Sequence, residues 1–119
     1  MTTARPTAVL LGGLAAFQAG LAVGAPWGRA AYGGQHPGPL PTRLRTVSGV
    51  ASAAYAAAAL ALAADGTSEP VRRRLLRGVV GLVGTGTLVN AASRSPVERA
   101  VWTPYCAVTG ALALRALRG

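Results

Sequence analysis

At 119 residues the chain is of single-domain size. About half of it (51%) is hydrophobic yet only six residues are aromatic, so in water its core would have to be built largely from alanine. Twelve basic residues, all arginine, stand against Asp65, Glu69 and Glu98, for a formal net charge of +9. The arginines fall in short clusters between charge-free apolar runs, with no base-stacking aromatics in a recognisable motif, which excludes nucleic acid as the expected partner.

Absence of lysine, with the alanine and glycine excess, suggests a GC-rich bacterial coding bias, so the choice of arginine says little about phosphate recognition. Cys106 is the single cysteine and His36 the single histidine, which excludes an intrachain disulfide and a histidine-pair metal site. No cofactor is expected.

Four charge-free intervals follow one another: residues 6–28, 46–64, 78–93 and 100–114. The first two hold 23 and 19 residues, enough for a hydrocarbon core that takes about 20 helical residues to cross. The last two hold 16 and 15, and reach spanning length only if Arg77 and Arg115 snorkel to the interface. The expectation is an all-α integral membrane four-helix bundle, a single domain over residues 1–119, with helices at roughly 7–26, 45–64, 73–92 and 97–117.

Helix one carries Gly12, Ala16, Gly20 and Gly24 at every fourth position, a seam that would let two backbones approach in lipid. Gln18 is its one polar residue in mid-span. Arg5, the apolar run and Val23-Gly24-Ala25 also imitate a secretory signal. The run exceeds the usual ~7–15 residues, however, and Pro26 would follow the cut directly, so the span is expected to be retained.

The connection that follows, about sixteen residues, is longer than the ~2–8 of most helix–helix joints. Its four glycines and four prolines within residues 26–41 predict a tightly turned loop. Helix two presents Ser48, Ser52 and Tyr55 on one stripe. Asp65-Gly66 stops it, and Ser68-Glu69-Pro70 starts helix three. Helix three bears Gly81 and Thr85, then Thr87, Asn90 and Arg94 on a face that grows more polar toward its end. Ser95-Pro96-Val97-Glu98 reads as a capping box opening helix four, with Pro104 expected to bend that helix near its start. Glu98, Trp102, Tyr105 and Thr109 share a stripe along it.

Four spans put both termini and the middle connection on one side, with Arg5, Arg72, Arg73, Arg74, Arg77, Arg115 and Arg118. The other side holds Arg29, Arg43, Arg45, Arg94 and Arg99. Seven against five places the termini in the cytoplasm of a multi-pass inner-membrane protein. No Asp, Glu, Lys or His lies within the membrane core of the spans, so no proton carrier or substrate counter-ion is expected there.

The motif Gly24-Ala25-Pro26-Trp27-Gly28, with Tyr32-Gly33-Gly34, Gly38, Leu40-Pro41 and Arg45, resembles a group of small, uncharacterised four-span bacterial membrane proteins. The resemblance continues in Asn90, Ser93, Ser95, Glu98-Arg99, Trp102 and Pro104. It covers most of the chain and implies the four-span fold without an activity.

The expected function is non-enzymatic. The two outward loops would form a cap binding an anionic lipid headgroup, a small amphiphile or a partner protein, with homo-oligomerisation and membrane lipids as further contacts. Candidate binding residues are Arg29, His36, Arg43, Arg45, Asn90, Arg94, Glu98, Arg99 and Trp102, with Gln18 as an intramembrane polar group. Glu98 is expected to pair with Arg94 or a first-loop arginine. The alternative is a small oligomeric transporter or channel with Gln18, Thr87 and Asn90 along a path.

Overall fold

A computed structural model describes residues 4–119. Among these the chain is all-helical, without strands, and has four α-helices: α1 Arg5–Ala22, α2 Thr42–Ala63, α3 Glu69–Ala91 and α4 Thr103–Arg118. The predicted helices are all present, with ends shifted by a few residues.

α1 stops at Ala22, before the expected Pro26, because Gly24 turns the chain with φ of +97°. The Ala25 N–H reaches back to the Gly20 carbonyl and the Gly24 N–H to that of Leu21, the paired bonds of a Schellman ending. Gly24 is thus a helix stop and not part of a packing seam. Within this chain the remaining positions pack no second helix as a seam either: a Cβ on Gly12 would meet nothing within 4 Å, and Gly20 lies under the Trp27 ring.

α4 differs from expectation at its start. Residues Glu98–Trp102 form a wider turn of π-helix, in which the Thr103 N–H donates to the Glu98 carbonyl. Pro104 follows directly on that turn, in the first turn of α4 proper, inside a helical run that continues without a break from Pro96 to Arg118, so it lies within the fourth helix as expected.

The helices pair as two antiparallel hairpins, α1 with α2 and α3 with α4, joined mainly where α1 meets α4. The Ser48–Ser52 stripe of α2 faces inward on its own hairpin. Ser52 Oγ donates to the Ala15 carbonyl at 2.8 Å, and Ser48 Oγ lies 3.0 Å from the Tyr32 hydroxyl. Leu11, Leu14, Leu62, Leu76, Val79, Val83 and Ala113 form the shared core. At the end holding residues 64–73 and 117, Arg72 donates to the Ala64 carbonyl and Arg73 to that of Leu117, while Arg5 pairs with Asp65 at 3.6 Å.

By length and composition one described helix, α2, is apolar enough to cross a membrane, with a mean hydropathy of 1.6. Four were expected. α4 proper has only 16 residues, α3 opens on Arg72, Arg73, Arg74 and Arg77, and α1 begins with Arg5-Pro6 and ends early.

Candidate functional site

The long connection between α1 and α2 is folded, as its glycines and prolines predict. Two short 3-10 turns, Gly28–Ala30 and Tyr32–Gly34, pack Ala31 and Leu40 onto Leu21 to form a small second core. Gly28 is indispensable here: its N–H donates to the Gly38 carbonyl at 2.9 Å, and any Cβ would overlap the His36 carbonyl oxygen.

This loop is tied to the connection between α3 and α4. Ser95 Oγ donates to the Arg29 carbonyl, and Glu98 Oε1 accepts the Gly33 N–H at 3.1 Å. The capping box forms in half. The Glu98 N–H donates to Ser95 Oγ at 3.2 Å, but the Glu98 side chain does not return to the Ser95 N–H. That N–H goes to Ser93 Oγ at 3.0 Å, and Ser93 donates in turn to Glu98. A buried carboxyl needs donors, and the first loop offers one that the local motif does not.

Beneath the joined loops, between the two hairpins, lies a cavity of about 290 Å³. Leu14, Phe17, Val83 and Trp102 give it apolar walls; Gln18, Asn90 and Glu98 bring polar groups to it. Phe17 and Trp102 touch with ring centroids 4.6 Å apart, Trp27 stacks on Phe17 at 5.9 Å, and Tyr105 meets the Trp102 edge at 5.3 Å. Four of the six aromatic rings thus form one chain, of which Phe17 and Trp102 line the cavity.

Gln18 Oε1 and Trp102 Nε1 are buried and, among the described residues, have no hydrogen-bond partner. Leaving such a group unpaired costs about 1–3 kcal/mol. Asn90, Tyr32 and Glu98, by contrast, are engaged. Asn90 Nδ2 donates to the Gly86 carbonyl at 2.7 Å and Tyr32 shares a hydrogen bond with Ser48.

The predicted site residues divide into three groups. Gln18, Asn90, Glu98 and Trp102 come together on the cavity. Arg29 and Arg94 line a second hollow on the joined loops, of about 520 Å³, and Arg94 also shares a hollow with Tyr32, Val89 and Glu98 of the cavity wall. The rest go elsewhere. Arg45 Nε donates to the Ala22 carbonyl at 3.1 Å, a cation at the C-terminus of α1. Arg99 donates to the Ser93 carbonyl at 2.7 Å, Arg43 is exposed, and His36 meets Gly28 through its backbone.

Two expectations need correcting. Among the described residues no arginine pairs with Glu98, because Gly33 and Ser93 hold its carboxyl. Thr87 lies outside the cavity lining, and its hydroxyl returns to the Val83 carbonyl of its own helix.

The sequence pattern did not predict the aromatic chain. The available signal was Phe17 beside Gln18, one turn of helix from Gly20, which leaves room for a ring. Comparison of the chain with protein-family models, curated proteins and solved structures finds no match to any of them.

Proposed function

We propose that this chain is a non-enzymatic integral membrane protein. It is a four-span bundle of the bacterial cytoplasmic membrane, with both termini inside, whose joined loops cap a binding cavity for a small amphiphile. The observation that carries the binding role is the apolar cavity of about 290 Å³ beneath the Ser95–Arg29 and Glu98–Gly33 hydrogen bonds.

Three features support the membrane setting. α2, at 22 residues, is about 33 Å long, yet only 11% of its apolar window is buried in the bundle, whereas a core helix of a water-soluble protein would be mostly covered. Each of the other helices also exposes large apolar side chains, among them Val9, Leu88 and Val108. The short α4 is lengthened by its π turn, so that residues 98–118 run as one rod with Arg115 and Arg118 at its far end.

Two measurements test the reading. The protein should stay in the membrane pellet after alkaline carbonate and be released by detergent; recovery in the supernatant would refute the membrane assignment. In lipid nanodiscs, with Trp27→Phe leaving Trp102 as sole reporter, 1-bromooctane should quench fluorescence saturably at one molecule per chain. Val83→Phe, a larger side chain on the cavity wall, should remove the saturable part. Unsaturable quenching, equal in both proteins, would dismiss the cavity as a binding site.

A further inference from the structure

We propose that the site selects a zwitterionic amphiphile whose ammonium lies between its apolar tail and its anionic group, the ammonium meeting Glu98 and the anion Arg94. This rests on the binding role proposed above and adds the chemistry of the ligand's head. Tyr32, Val89 and Glu98 line both the cavity and a hollow on the joined loops, so the two spaces adjoin. Arg94 lines that hollow but not the cavity, and goes on to line the outer one with Arg29. Outward from the apolar wall, the carboxylate thus comes first and the guanidinium second. Leu82 and Val89, exposed on α3, also line the cavity, so a tail reaches it sideways from the bilayer.

Glu98 and Arg94 share a hollow without pairing: among the described residues no carboxylate lies within 4.0 Å of the Arg94 guanidinium. The cause is Glu98 Oε1, which takes both the Gly33 N–H and the Ser93 hydroxyl and holds the residue inward, 9% exposed. Its other oxygen, Oε2, accepts no hydrogen bond among the described residues and keeps accessible surface. A purely anionic head at Arg94 would face the Glu98 carboxylate, and a purely cationic one at Glu98 would face Arg94. A head with both signs in that order meets neither repulsion, and its N–H donates to the open Oε2.

The test sets four probes of one chain length to compete with 1-bromooctane for Trp102 in nanodiscs, on the Trp27→Phe background, with concentrations expressed per lipid. They are N-dodecylglycine, dodecylamine, dodecyl phosphate and dodecylphosphoethanolamine, the last carrying its two charges in the reverse order. N-Dodecylglycine should bind about 10-fold tighter than any of the others. Glu98→Gln keeps an oxygen for the loop donors and should cut the advantage over dodecyl phosphate below about 3-fold. Arg94→Gln, a change on the exposed surface, should do the same to the advantage over dodecylamine.

Equal binding of N-dodecylglycine and either singly charged probe, or tightest binding by the reversed head, would overturn the zwitterion assignment. Displacement of 1-bromooctane by N-methylglycine, the head without a tail, at the same concentrations would also overturn it, by marking a site for a free solute. Absence of saturable quenching by 1-bromooctane would instead remove the binding role itself.

Discussion

Glu98 accepts hydrogen bonds from two segments far apart in sequence, and this decides what its replacement does. Glu98→Gln keeps an oxygen for the Gly33 N–H and Ser93 Oγ, whereas Glu98→Ala leaves both donors without an acceptor beneath the loops. The alanine variant should lose about 1–3 kcal/mol of stability and the glutamine variant clearly less. Thermal unfolding in detergent reads the difference, and equal losses would mean that the carboxyl oxygens do not tie the loops together. The Ser95–Glu98 cap is legible in sequence because three residues of spacing suffice to define it. The second destination of Glu98 is not, because Gly33 lies 65 positions away and contributes a backbone group that no residue type advertises.

Among the elements, helix existence follows from charge-free apolar runs, and helix ends follow only where a local motif dictates them. Pro70 sits in the first turn of α3, and Pro96 opens the helical run that leads through the π turn into α4, as proline should. The end of α1 depends on which of several glycines turns the chain, and the spacing Gly12-Ala16-Gly20-Gly24 suits a seam and a stop equally. The α1–α2 loop shows how one glycine can be required while another is not. Gly28→Ala forces a methyl into the His36 and Gly38 carbonyls and should cost roughly 3 kcal/mol, the upper part of the range for overpacking. Gly66→Ala, with open space around its Cβ, should be close to neutral by the same melting assay. Similar losses at both positions would show that the loop is not packed as described.

Over the whole molecule, arginine counts bear on orientation, and the fold shows where to test it. Gly38 has φ of +88°, so a cysteine there would strain the loop; exposed Gln35 is the better reporter on that side, and Gly66 reports on the other. On a Cys106→Ala background, a membrane-impermeant maleimide added to intact cells should label Gln35→Cys and spare Gly66→Cys. The reverse pattern would invert the proposed topology. The cavity itself was not legible in sequence: it is a mismatch between two hairpins, and periodicity describes one helix at a time.

That mismatch has a consequence for the order in which the protein is made. The first hairpin already carries its own small core and the bonds from Ser52 to Ala15 and from Arg45 to Ala22, all within residues 15–52. It can therefore mature while the ribosome is still producing the second. The space bounded by Phe17 and Tyr32 on one hairpin and by Asn90 and Trp102 on the other comes into being only when the two dock. A ligand of the proposed site would bind the assembled protein alone, so by mass action its concentration would pull the nascent halves together. Such a ligand would act as a folding effector too, and scarcity of it would show first as unassembled chain.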